Sequence, residues 1–294
     1  MCDVLRGTDR EEIVLKTNAE LKKKMKLRNH NKTIVCLGLS VALLFTGTVA
    51  RASSFDHRYD AWNKLLTTHT ENGFVNYQDL KESPEDLTAV MESFQAATED
   101  EYDPWSRNQK IAFWLNAYNF AAMNLIVEHY PIQKKFGWKA LAYPDNSIQQ
   151  IPDVWDRESI EVLGKERSLN EIEHEILRKE FKDPRVHFVL VCASIGCPKL
   201  RAEPYVPERL EEQLDEQVRV FMSDTEKARY ERENDTLYLS PILKWFGDDF
   251  EAAGGRVAFV KKYLPRETAN HLSDKSKIKW LDYDWSLNEG KAKS

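Results

Sequence analysis

The chain has 294 residues, 42% of them hydrophobic, with 48 acidic against 42 basic side chains and a net charge of −6. That balance argues against nucleic acid as a partner, because phosphates call for basic patches. The length can bury one sizeable core or two small ones.

In chain order, residues 1–24 are polar and charged and read as a start-site extension, with Met25 the better start. From Met25 the sequence runs MKLRNHNK, then TIVCLGLSVALLFTGTV, then Ala50-Arg51-Ala52. A basic stretch, an apolar stretch and an A-x-A site make residues 25–52 a secretory signal peptide, and the protein is expected to be secreted or periplasmic. The rival reading is an uncleaved anchor, in which case the membrane is met only through this segment. The apolar run Thr33–Val49 falls short of the ~20 residues that span a bilayer comfortably. Cys36 lacks the small preceding residue of a lipidation site.

Removing residues 1–52, with 10 Lys/Arg and 5 Asp/Glu, leaves 32 basic and 43 acidic groups, a net of −11. No linker-like stretch or repeat follows Ser53, so residues 53–294 are expected to form a single domain. Of the four cysteines only Cys192 and Cys197 remain, and an oxidising compartment makes them a disulfide candidate. Gly196 between them is expected to supply the bend.

Helical spacing predicts a helix over Phe55–Thr68, with Tyr59, Trp62, Leu65 and Leu66 on one face. A turn at Asn72-Gly73 precedes the extended Phe74–Tyr77, and Leu87–Ala97 forms another helix. Ser106 with Gln109 is a capping box opening the most apolar helix, which runs to Pro131. From Ile111 to Val127 it is apolar nearly all round, the mark of a helix buried at the centre of a domain. Asn116, Asn119 and Asn124 argue against a membrane span there.

Arg157–Val162 reads as a strand turning at Gly164-Lys165. Ser168 and Glu171 form a second capping box for a helix Leu169–Phe181, ended by Asp183-Pro184. Val186–Cys192 is the best strand candidate. Pro207 opens a helix carrying Leu210, Leu214, Val218 and Phe221. Asn234-Asp235 turns into a strand Thr236–Ser240, and Pro241–Phe250 and Arg256–Tyr263 read as helices. Ile278–Trp285 reads as a closing strand. The fold class is therefore α+β: a helix-rich domain with a buried central helix and a small, mostly antiparallel sheet.

Glu173 lies in the apolar stripe of its helix, between Leu169 and Leu177. A carboxylate there must be paired, hydrogen-bonded or protonated. It is a candidate acid/base or metal ligand, against a structural carboxylate. His174 is adjacent, and its side chain should diverge from Glu173 by about 100°. Asn116 and Asn119 share a face, and either brace a loop or line a pocket. As a strand, Val186–Cys192 would put His187 and Cys192 on opposite faces, ~16 Å apart. A nucleophilic Cys192 would then need its base from His174, Glu173 or the Asn116/Asn119 pair. No HExxH, HxH or paired CxxC occurs after Ser53, so no metal site is expected. The aromatic content reads as packing, with no cofactor box, and no cofactor is expected.

The motifs FWLNAYN, SLNEIEHEILR, DPRVHFVLVCASIGCP and YDWSLN, in that order, resemble domain-of-unknown-function family 547. The resemblance runs from about Tyr59 to Asn288. It points to Asn116, Tyr118, Asn119, Glu173, His174, Arg178, His187, Cys192, Ser194, Cys197 and Pro198. It implies secreted bacterial members, and eukaryotic ones joined to glutaredoxin-like and other modules, but no activity. A buried helix followed by a His-bearing strand is also distantly similar to papain- or transglutaminase-like cysteine enzymes. Those place their cysteine at the start of the central helix, where this chain has none, so their triad does not carry over.

Two functions follow as expectations. The first is a thiol-dependent enzyme (hydrolase, acyl transferase or redox), with Cys192, Glu173, His174 and His187 catalytic. Asn116, Tyr118, Asn119, Arg178, Ser194 and Cys197 would line its pocket, and its partner would be a small molecule or peptide. The second is a non-catalytic binding or scaffold domain with a structural Cys192–Cys197 disulfide. A metal-dependent hydrolase comes third.

Overall fold

A computed structural model describes residues 54–134, 137–273 and 275–290. The expected signal peptide at 25–52 and the extension at 1–24 lie outside the described residues. The chain enters α1 (Asp60–His69), the hairpin β1 (Thr70–Glu71) and β2 (Phe74–Val75), then α2 (Tyr77–Glu82), α3 (Pro84–Gln95) and α4 (Glu99–Tyr102). The first helix starts five residues later than its apolar spacing predicts. Asp56 accepts from the N–H groups of Arg58 and Asp60, and Tyr59 takes a left-handed φ of 55°, so Phe55–Tyr59 is a turn. Pro84 sits in the first turn of α3, where its missing N–H costs nothing.

The long α5 (Arg107–His129) has the expected capping box, each partner accepting from the other's backbone N–H. Every residue from Ile111 to Met123 is buried, so α5 is the axis of the larger apolar cluster. After α6 (Trp138–Ala142), the antiparallel hairpin β3 (Glu158–Val162) and β4 (Lys165–Ser168) turns at Leu163-Gly164, both at positive φ.

Glu171–Phe181 is helical but wound as a π-helix, wider than the α-helix expected. Only half of the second capping box forms. Ser168 Oγ accepts from the Glu171 N–H, while the Glu171 carboxylate pairs with Arg167.

The predicted strand Val186–Cys192 does not exist. Asp183 caps the Arg185 N–H, Pro184 fits a helical first turn, and Pro184–Phe188 forms a 3₁₀ turn. Beyond it, a side-chain amide replaces a neighbouring strand. Asn119 donates to the Val189 carbonyl at 3.0 Å and accepts from the Val191 N–H at 2.9 Å.

α7 (Leu210–Ser223) follows, then β5 (Ala228–Glu231), β6 (Thr236–Leu239), α8 (Ile242–Trp245), α9 (Gly247–Ala252), α10 (Arg256–Tyr263), α11 (Arg266–His271) and β7 (Lys277–Trp280). β5 pairs antiparallel with β6, and β6 parallel with β7. Around them packs a smaller apolar cluster including Phe188, Phe221, Leu237 and Phe250. The predicted helix Pro241–Phe250 breaks at Phe246. The predicted closing strand stops at Trp280, and residues 281–290 run on as an irregular strap. The architecture is α+β, helix-rich, with a buried central helix and small, mostly antiparallel sheets. Among the described residues, no helix is long and apolar enough to cross a membrane.

Candidate functional site

Cys192 and Cys197 lie at disulfide distance, with S–S 2.25 Å and Cα–Cα 6.2 Å. The bend that joins them differs from the expected one. Ala193 holds the left-handed conformation, with φ 57°. Gly196 does not. It is small because the Tyr283 ring lies against it: a Cβ there would meet ring atoms at 2.7–2.8 Å. The strap carries Tyr283 to this position. The Ile195 and Gly196 N–H groups donate to the carbonyls of Ser286 and Asp284 at 2.8 and 2.7 Å.

The two sulfurs are not equivalent. Cys192 is half-buried and Cys197 is buried. Cys197 Sγ lies 2.9 Å from the Cys192 N–H nitrogen and 3.2 Å from the Tyr283 hydroxyl. Ser194 Oγ is 3.1 Å from the same hydroxyl. One proton per hydroxyl allows a pattern in which Ser194 donates to Tyr283, Tyr283 to Cys197 Sγ, and the Cys192 N–H to the same sulfur, and Ser194 Oγ also lies 3.4 Å from that sulfur. Cys192 Sγ also has Tyr283 and Ser194 oxygens within 3.3 Å.

Beside the sulfurs stands a chain of titratable groups. Glu173 projects from the π-helix and accepts from the Tyr118 hydroxyl of α5 at 3.3 Å. Burial raises its carboxyl to about 7, against the opposing pull of the Arg178 guanidinium. His187 has a fully buried side chain, stacked on Phe246 with ring centroids 3.9 Å apart. Its Nε2 donates to Asp249 at 2.7 Å, so Nε2 carries the proton. Its Nδ1 has no hydrogen-bond partner and lies 3.9 Å from Glu173 Oε1.

Burial holds His187 neutral, below the usual imidazole range. The bond from His187, joined by two from Arg178, keeps the Asp249 carboxylate well below its usual range. Arg178 also reaches His174 Nδ1 at 2.7 Å. Burial, with the Arg178 charge, lowers the His174 imidazole too.

Tyr118, Glu173, His174 and His187 line a cavity of about 220 Å³ with both cysteines, Trp155, Trp245, Phe246, Tyr283 and Trp285, while Asp249 lies outside its lining. Of the residues singled out in the sequence, Tyr118, Glu173, His174, His187, Cys192, Cys197 and Pro198 line it. His187 and Cys192 thus share one cavity, not opposite strand faces, because the 3₁₀ turn replaces the strand. Glu173 and His174 also share it, although adjacent on one helix.

Asn116, Asn119, Arg178 and Ser194 stand behind the wall. Asn116 exchanges two hydrogen bonds with the Tyr205 backbone, at 2.7 and 3.0 Å, as Asn119 does with residues 189 and 191. Each amide substitutes for a peptide group, so both brace loops and neither lines the pocket. The hydroxyls beside the sulfurs are those of Ser194 and Tyr283, and of the candidate bases for Cys192, Glu173 and His174 share its cavity. Sequence spacing does not single out Asp249, Trp155, Trp245, Phe246, Tyr283 or Trp285, and the aromatic residues do more than pack: they line the cavity. The motif YDWSLN was the one signal that could have found Tyr283 and Trp285. Among the described residues, no group of three or more His, Cys, Asp or Glu could hold a metal ion.

Residues 102–222 match the family model described as "Protein of unknown function, DUF547". The match supports the family to which the motifs pointed. It contains Tyr118, Glu173, His174, His187 and both cysteines, and stops before Asp249 and Tyr283. No curated protein and no solved structure matches the chain.

Proposed function

We propose that the pocket is a thiol–disulfide exchange site in a protein delivered to an oxidising compartment by the leader at 25–52. The observation that carries this reading is the asymmetry of the sulfur pair. Cys192 is half-buried at the cavity, and Cys197 is buried, with two donors on its sulfur. An incoming thiolate attacks Cys192 Sγ, its new S–S bond forms, and the Cys192–Cys197 bond breaks. Cys197 leaves as a thiolate, stabilised by the Cys192 N–H and the Tyr283 hydroxyl. A second thiol of the partner then attacks the partner's own sulfur in the mixed disulfide. Cys192 is released, both partner electrons now sit on the cysteine pair, and the partner's two protons follow. The partner class is a dithiol, on a small molecule or a peptide.

Dithiothreitol tests the reading, with thiol release followed by mass and by alkylation. A hydrogen bond to a charged group contributes about 1.5–3 kcal/mol, so Tyr283→Phe should slow release at least ~10-fold. Cys192 should be the first sulfur alkylated. Equal, slow release from wild type and Tyr283→Phe would instead make the disulfide structural. The protein would then be a non-catalytic binding domain.

A further inference from the structure

We infer that the cavity beside the sulfur pair takes a neutral planar ring bearing a hydrogen-bonding oxygen, a quinone, as the two-electron acceptor that restores the disulfide. This rests on the exchange reading, because it supplies the oxidant that the pair needs after accepting electrons.

The first observation is the aromatic mouth. Trp155, Trp245 and Trp285 line the cavity, yet Trp245 is 49% exposed and the other two only half-buried. Tryptophan is normally well buried, and its indole face is a stacking surface. At about 220 Å³ the cavity lies below the ~300–1,000 Å³ of drug-sized sites, and suits a single substituted ring.

The second observation is independent of the first. His187 Nδ1 is buried, unpartnered and unprotonated, 3.9 Å from Glu173 Oε1. That separation is too long for a hydrogen bond between them. It is the right base for a triangle whose apex is a ligand oxygen within reach of both. A carbonyl oxygen there accepts from the protonated Glu173 carboxyl. A hydroxyl there donates to His187 Nδ1. A quinone and its hydroquinone present these two forms of one oxygen in turn.

Two other ligand classes fit less well. A sugar needs partners for several hydroxyls, and this lining is dominated by indole and phenyl rings. A quaternary ammonium suits an aromatic cage. Here, however, the Phe246 ring is already occupied, by the His187 ring stacked at 3.9 Å and by the Arg178 guanidinium 4.9 Å from its centroid.

The transfer balances. The Cys192 thiolate adds to a ring carbon, and the ring oxygen takes a proton from Glu173. The Cys197 thiolate then attacks Cys192 Sγ. The S–S bond forms, the C–S bond breaks, and its electron pair returns to the ring. The two protons given up by the thiols balance the ring: one restores the Glu173 carboxyl, the other reaches the second ring oxygen through solvent, and the quinone has become a hydroquinone.

Tetramethyl-1,4-benzoquinone is the probe, since full ring substitution blocks permanent arylation of thiols. With the oxidised protein, it should quench tryptophan fluorescence saturably, and Trp245→Ala should weaken binding at least tenfold. With the pre-reduced protein under anaerobic conditions, one quinone should be consumed per chain and two thiols lost. Glu173→Gln, whose amide can still donate to a ring carbonyl but cannot give up a proton, should slow that reaction at least tenfold at saturating quinone. Unsaturable quenching, or quenching indifferent to Trp245→Ala, overturns the site. Binding without loss of thiols overturns the acceptor role. If dithiothreitol exchange still depends on Tyr283, the exchange reading survives either failure. If quinone binds but that exchange is absent, the exchange reading has failed and the acceptor role falls with it.

Discussion

Glu173 is the residue whose energetics can be separated most cleanly from its chemistry. Its carboxyl titrates near 4.5 in an unfolded chain and at about 7 in the fold, where burial disfavours the charge. Between those values the folded state binds more protons than the unfolded state, so stability is greatest below 4.5 and falls as pH rises through 7. The total is on the order of 3 kcal/mol. Glu173→Gln keeps an acceptor for Tyr118 and removes the titration. The variant should therefore be more stable than wild type at pH 8 and equal to it near pH 4.5, measured by thermal unfolding across pH. A wild-type profile unchanged by the substitution would contradict the burial assigned to this carboxyl. The sequence exposed Glu173 because its apolar neighbours recur at helical spacing. It could not expose Asp249, which sits on an unremarkable acidic turn and matters only because tertiary folding sets it against His187 and Arg178. Asn119 shows the same limit. Its position on a buried helix demanded partners, but nothing local said that both partners would be backbone groups 70 and 72 residues away. Asn119→Ala leaves the Val189 carbonyl and Val191 N–H buried without partners and should cost roughly 3 kcal/mol, read as a shift in denaturant midpoint.

Local capping decided which predicted elements survive. The long central helix was legible because Ser106 and Gln109 sit on its first turn and its apolar run exceeds any strand length. The run Val186–Cys192 has strand composition and fails as a strand, since Asp183-Pro184 launches a 3₁₀ turn and Asn119 occupies the backbone groups beyond it. This failure builds the site. A ladder would have kept His187 and Cys192 on opposite faces, and the turn lets them face one cavity. The π-winding of Glu171–Phe181 likewise changes which residues share a face, and such winding recurs at functional sites. The six-residue loop from Cys192 to Cys197 makes its own prediction through Gly196. An added methyl would push into the Tyr283 ring, which must then withdraw from both sulfurs. Gly196→Ala should destabilise by about 1–3 kcal/mol. It should also slow dithiothreitol exchange as far as Tyr283→Phe does, and a fast-exchanging Gly196→Ala protein would separate the ring from the sulfur chemistry.

Across the whole molecule, the site lies where the two apolar clusters meet, and Tyr283 packs against both. The strap 281–290 leaves β6, where the Leu281 N–H donates to the Leu239 carbonyl at 2.9 Å, and reaches the cysteine loop and the β1–β2 hairpin. Its Asn288 N–H donates to the Ala193 carbonyl at 3.1 Å, and its carbonyl accepts from the Val75 N–H at 2.9 Å. The Asn288 side chain accepts from the buried Tyr77 hydroxyl at 2.7 Å and donates to the Gly73 carbonyl at 3.3 Å. One residue thus ties the β1–β2 hairpin, the cysteine loop and the strap together, so stability and sulfur geometry are coupled through it. Asn288→Ala removes the two side-chain bonds and leaves the Tyr77 hydroxyl buried without its acceptor. The expected loss is about 2 kcal/mol, a fall of roughly 4–8 °C in melting temperature for a domain of this size. Because the strap carries Tyr283 and its Leu287 pairs with Ser194, the substitution should also loosen the hydroxyl pair on the sulfurs, and exchange should slow even at temperatures where the protein stays folded. A variant that melts early but exchanges at the wild-type rate would show that the sulfur loop is held by its own bend and by the Ile195 and Gly196 bonds to the strap, with Asn288 serving the hairpin alone.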